Sequence, residues 1–248
     1  MKNIIENDEY ENLCDLAACY HLCHRYGFTD RINTHISSRS NINNNNFYLN
    51  PVGLLFDEVK ASNLVCVSMD GEKIDKDNKF DFNDAGYLIH SAVLSTRNDV
   101  NCIIHHHSIA GMVVGALEEG LMFVNQHSLQ FYNKVAYHVY EGFGRDIEKE
   151  KDRLASDLYN NDILFMRNHG VLVCGKTVGE AFCRMDDLEK ACKTQIDLLS
   201  TKRKIHIPSD GIAKFTKKQF DKLGRPAGET EWPAMRRLLD RLNIDYKS

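Results

Sequence analysis

Three consecutive histidines close a short apolar run in this chain, Asn101-Cys102-Ile103-Ile104-His105-His106-His107. An apolar segment of that length reads as a buried strand. Side chains on a strand alternate between its faces, so His105 and His107 point one way and His106 the other. Two imidazoles on one face of a strand end can grip one ion. His169, before Gly170, is placed to close such a site from a neighbouring turn. Three neutral nitrogen ligands with a fourth position open is the layout of a catalytic zinc site, not a structural one. The competing reading is a surface histidine cluster, and spacing alone tips the balance only slightly towards metal.

The remaining composition narrows the class. At 248 residues and 43% hydrophobic, the chain can bury a sizeable core. A formal charge of −4 with interspersed acids and bases gives no expectation of a nucleic-acid or membrane partner. No apolar run approaches the ~20 residues of a membrane span, and the start has no apolar core of a signal peptide. The 8 cysteines form no CxxC pair. Cys14, Cys19 and Cys23 in one helical stretch read as small core residues. A reduced, cytoplasmic protein is expected.

Helical periodicity covers residues 9–26, with Gly27 as terminator. A polar loop, Thr29 to Thr34, enters a strand through His35-Ile36-Ser37-Ser38-Arg39. Residues 41–46 form an Asn-rich hairpin tip, and strands are expected at 47–49 and 64–68. Asn83 or Asp84 caps a helix through about Thr96. The histidine strand follows, then a helix from Ile109 capped by Ser108. Short strands are expected at 121–125 and 134–139, and a charged helix at about 146–159. Ile163–Met166 and Val171–Cys174 read as strands joined by the Asn168-His169-Gly170 turn. Thr177-Val178-Gly179-Glu180 opens a long helix with a capping box. Residues 1–204 read as one α/β domain on a mixed or antiparallel sheet, and 205–248 as a C-terminal extension with few apolar residues before Trp232.

Taken together, Asn33-x-His35-Ile36-Ser37-x-Arg39, Gly86-Tyr87-Leu88-Ile89-His90, His105-x-His107 and Asn168-His169-Gly170 resemble the class II aldolase/adducin family over about residues 9–200. The tail around Trp232 resembles that of an uncharacterised bacterial branch. The resemblance implies a three-layer α/β/α sandwich around a largely antiparallel sheet. It also implies homotetramers with sites near subunit interfaces, and zinc or another divalent metal on His105, His107 and His169. Family enzymes are metal-dependent lyases, epimerases or dehydratases acting on small hydroxy-carbonyl compounds and sugar phosphates through an enediolate. Adducin has the same fold but is a cytoskeletal binding protein, so the alternative is a scaffold without catalysis.

The chain departs from the family aldolases where they carry a catalytic Glu, four residues before His90. Gly86 stands there and cannot serve as a base. Asp84-Ala85 replaces a Ser-Ser pair that helps hold phosphate, and a carboxylate repels phosphate. Thr34-His35 replaces Gly-Asn. The candidates for proton transfer are therefore His138 and Glu141, with Tyr132 weaker. His138 reads equally well as a satisfied strand histidine, and Glu141 more simply as a loop charge. His35, Ser37 and Arg39 are candidates for contact with an anionic substrate. Arg39 also reads as the partner of a structural carboxylate. His90 is read as structural or as supporting a ligand, and His106 as packing or outward-facing.

Overall fold

The computed structural model describes residues 2–142, 147–222 and 228–248. The helix expected from about 146 is seen from Ile147, and residue 146 lies outside the described residues. Seven strands form one sheet: β1 (His35–Arg39), β2 (Asn46–Leu49), β3 (Val65–Ser68), β4 (Cys102–His106), β5 (Val135–His138), β6 (Ile163–Met166) and β7 (Gly170–Gly175). Their order is β3-β2-β1-β4-β7-β6-β5, and every pair is antiparallel except β5 with β6. The fold is the expected α/β class with a largely antiparallel sheet.

Helices cover both faces, and the strand alternation decides which residue meets which layer. Cys102 and Ile104 of β4 join a core with α1 (Lys2–Tyr26), α3 (Ile109–Ala116), α6 (Val178–Ser200) and α8 (Glu231–Arg241). Ile103 faces the other way, into a core with α2 (Asp84–Leu94) and α5 (Ile147–Leu158). Both faces are apolar because both are covered, which is why the strand burial is nearly continuous rather than alternating. The same parity puts His105 on the α2 side and His106 on the α1 side.

The expected strand at 121–125 is absent. The amide of Leu121 donates to Oη of Tyr137 at 2.8 Å and that of Met122 to Oε1 of Gln195 at 2.7 Å. Side chains satisfy these donors, so no strand partner is required. A short helix, α4 (Gln126–Leu129), follows. In the apolar-poor stretch after Pro208, α7 (Asp210–Asp221) forms with only Ala213 buried. Its supports are local: a Ser209 cap and the ion pairs Lys214–Asp210 and Lys217–Asp221, each four residues apart.

The end of the chain packs back on its own subunit. Nε1 of Trp232 donates to Asp15 at 2.8 Å, and a side chain at Gly179 would collide with the indole, its Cβ 2.6 Å from that of Trp232. Tyr246 is fully buried, and its carbonyl accepts from the amide of Ala61 at 3.0 Å.

Candidate metal centre

The sheet brings five strand ends to one place. The start of β1 and the end of β4 meet through the register pair His35–His105. The turn between β6 and β7 carries His169, with Asn168 at φ 58°. The parallel β5 ends beside it, with His138 opposite Met166.

His105, His107 and His169 lie together, each offering a ring nitrogen within 4.8 Å of the others. Their ring centroids are 4.8, 5.0 and 4.9 Å apart. A side chain at Gly170 would meet both His107 and His105, at 2.7 and 3.1 Å, so glycine is what lets the turn close over the pair.

The tautomers follow from the partners. Nδ1 of His107 lies 3.1 Å from Oδ2 of Asp30, and Nδ1 of His105 lies 3.1 Å from the carbonyl oxygen of Val171. A carboxylate and a carbonyl only accept, so both rings carry their proton on Nδ1. Both Nε2 atoms are then bare, and they stand 3.0 Å apart. Two lone pairs at that separation repel, and a cation between them removes the repulsion. Zinc–imidazole bonds of ~2.0–2.1 Å in a tetrahedron put donor nitrogens ~3.3 Å apart, close to this spacing. The donor set fits a borderline-soft divalent ion. A carboxylate or carbonyl on the far nitrogen is the usual support of a ligating histidine.

Electrostatics point the same way. Burial, reinforced by neighbouring rings, holds His105 well below the ordinary histidine range. Burial and the nearby His107 and His138 lower His169 to about 4. These rings are neutral at pH 7, the state in which imidazole binds metal.

The surrounding residues sort clearly. His138 faces the α5 layer, its Nδ1 2.7 Å from Oδ2 of Asp157. Its ring is close enough to His169 for charge on either to be felt by the other. Glu141 is exposed and bonded to Arg153. Tyr132 sits away, bonded to Asp210 of α7. Among the described residues Arg39 meets no carboxylate. Its guanidinium donates to the carbonyls of Asn44 and Leu94, both at 2.7 Å, and of Val100. That arrangement ties β1 to the end of α2.

Ser37 and His35 belong to a buried chain. Oγ of Ser37 bonds Nδ1 of His90, and Nε2 of His90 lies 2.7 Å from Nδ1 of His35. The His35 ring stacks on His105 with centroids 4.9 Å apart and is lowered to about 3 by burial and by His107 and His169. His106, on the opposite face, touches Phe28 and is lowered to about 3 by burial and His107. Asp30 and Asp157 were not singled out from the sequence. Each lies in a stretch of ordinary polar residues, and its partner is distant in the chain or reached only through α5.

Residues 14–196 match the class II aldolase and adducin N-terminal domain. The chain belongs to the class II aldolase/adducin family. It is 39% identical over 244 residues to a protein of Pseudomonas aeruginosa whose name places it with the class 2 aldolases, covering 96% of this chain and 93% of that one. Rat alpha-adducin is 35% identical over 98% of this chain, which spans only 35% of the adducin. An aldolase II superfamily protein from Pseudomonas syringae superposes with a TM-score of 0.89 at 36% identity, covering 97% and 96% of the two chains. L-Fuculose 1-phosphate aldolase from Glaciozyma antarctica superposes with a TM-score of 0.85 at 26% identity, covering 98% and 94%. Family membership thus joins aldolases and adducins. Among the described residues no helix is long and apolar enough to cross a membrane.

Proposed function

We propose that this chain is a metal-dependent lyase of the aldolase type, acting on a small hydroxy-carbonyl compound, with His105, His107 and His169 as ligands to zinc or a similar divalent ion. One observation carries the reading: two bare Nε2 atoms 3.0 Å apart, each with its Nδ1 committed to an acceptor. A bound divalent ion supplies Lewis acidity, polarising a carbonyl and stabilising the charge of an enediolate.

The chain's own groups do the rest. His138 is the proton carrier. Asp157 takes its Nδ1–H and leaves Nε2 to accept or return a proton at the substrate. Glu141, exposed and paired with Arg153, is the second candidate. Asp84 in the first turn of α2 disfavours a phosphate there, which supports an unphosphorylated substrate. The homotetramer expected from the family, with a site near a subunit boundary, is part of the proposal and is read by sedimentation.

The test is a screen of hydroxy-ketones and sugar phosphates for cleavage, epimerisation or dehydration by protein of known zinc content. Turnover that disappears with the zinc, and in His107→Ala, supports the lyase. A fully loaded protein that turns over nothing favours the second reading, a binding protein like adducin. That reading draws on Gly86, which stands where the aldolases carry a catalytic Glu and cannot serve as a base, and on the 35% identity to alpha-adducin.

A further inference from the structure

His35 stands where the family's enzymes and this chain part company, and its surroundings determine its proton. Ser37 is fully buried, and the only hydrogen-bond partner of its hydroxyl among the described residues is Nδ1 of His90. A buried hydroxyl without an acceptor is costly, so Ser37 donates to His90 Nδ1. His90, also fully buried, must then carry its own proton on Nε2. That proton is donated across 2.7 Å to Nδ1 of His35. His35 is left with its proton on Nε2, the tautomer opposite to that of His105 and His107. Nε2 of His35 makes no hydrogen bond to a described residue.

The ring is also fixed in place. It lies across the strand pair from His105 and stacks on that ring at an interplanar angle of 29°. On its other side a Cβ at position 86 would come within 2.9 Å of Cδ2 and 3.0 Å of Cγ. Gly86 is therefore the space the imidazole occupies. The ring is near enough to His107 and His169 for charge on either to oppose charge on it. One wall of the site thus offers bare nitrogens suited to a cation, and the adjoining ring offers an N–H suited to an anion.

We propose that His35 is a neutral hydrogen-bond donor, through Nε2–H, to the substrate oxygen on which negative charge develops. It is not a fourth ligand, because its Nε2 has no free lone pair. Ser37 and His90 act as positioning residues that set the tautomer. A fixed donor aimed at developing charge stabilises the transition state without reorganising, and a neutral imidazole can fill that role. The assignment rests on the metal site proposed above.

Zinc-loaded protein with 15N-labelled histidine tests it directly. Long-range 1H–15N correlation is expected to place the His35 proton on Nε2, and Ser37→Ala is expected to give a mixture of tautomers. A His35 proton found on Nδ1 in the wild type overturns the proposal. Acetohydroxamate, whose oxygens resemble an enediolate, is the binding probe, read by calorimetry. His35→Ala is expected to weaken it about 10- to 100-fold, with zinc content unchanged. Gly86→Ala displaces the ring without removing a polar group and is expected to weaken it in the same direction, which separates the effect from a folding defect. Unchanged probe affinity in zinc-replete His35→Ala overturns this assignment alone. A wild type that takes up no zinc overturns the metal site and this assignment with it.

Discussion

Oδ2 of Asp30 lies 3.1 Å from Nδ1 of His107, joining residues 77 positions apart in the chain. The carboxylate fixes the ring's tautomer and orientation. Supporting partners of this kind are typically worth ~10- to 100-fold in metal affinity. Asp30→Ala is expected to weaken zinc binding by that factor in competition with a chelator, and His107→Ala to abolish it. Equal zinc affinity in wild type and Asp30→Ala would show that the contact supports no ligand.

Acid should destabilise the metal-free protein. Burial is the leading cause that holds His35 and His106 at about 3, His169 at about 4, and His90 and His105 well below their ordinary value. The unfolded chain takes up protons at these rings below about pH 6.5, whereas the folded chain does not until lower pH. Between those values the unfolded state binds more protons, so stability falls as pH falls. Each fully buried ring removes ~1.4 kcal/mol per pH unit in that window. The urea midpoint of the metal-free protein is expected to be flat above about pH 7 and to drop steadily from about pH 6.5 towards 4. A midpoint unchanged between pH 7 and pH 5 refutes the account.

The histidine cluster was readable because strand parity is a local rule, and His105 and His107 obey it. The sheet followed for the same reason, from apolar runs and the Asn168-His169-Gly170 turn. What eluded sequence reading depends on distance in space. Nothing local marks Asp30 as the partner of His107, or Asp157 as that of His138. The role of Gly86 is legible only once the His35 ring is seen in its place. Arg39 looked like an anion ligand because a guanidinium in a motif can be either tool or tie. Here the guanidinium donates to the carbonyls of Asn44, Leu94 and Val100. The missing strand at 121–125 was lost to two side-chain acceptors, Tyr137 and Gln195, that no periodicity reveals.

The C-terminal segment is expected to be part of the stable fold. Trp232 is 7% exposed, packs on Phe182 with ring centroids 5.8 Å apart, and bonds Asp15. Trp232→Ala removes that volume and leaves the Asp15 carboxylate with the Arg236 guanidinium, 2.9 Å away. Truncations of buried aromatics cost ~3–5 kcal/mol. Chemical denaturation should show a loss of that size in one cooperative transition. A change below about 1 kcal/mol, small beside that range, would mean that residues 205–248 are peripheral.

The proposed proton carrier, His138, gives the sharpest test of catalysis. His138 and Asp157 form a pair at 2.7 Å, the histidine side chain nearly buried and the carboxylate partly open. With Nδ1–H held by Asp157, Nε2 is the basic atom, and loss of a positioned base typically costs ~100- to 10,000-fold in rate. With a substrate identified by the screen, His138→Ala is expected to lower kcat within that range and leave zinc content and KM nearly unchanged. Asp157→Asn keeps the volume but offers Nδ1 a weaker acceptor, so kcat should fall by less, in the same direction. Glu141→Gln breaks only an exposed pair with Arg153 and is expected to retain near-normal turnover. A His138→Ala enzyme with wild-type kcat removes His138 from the mechanism. A loss in Glu141→Gln as large as that expected of His138→Ala moves the base to the loop.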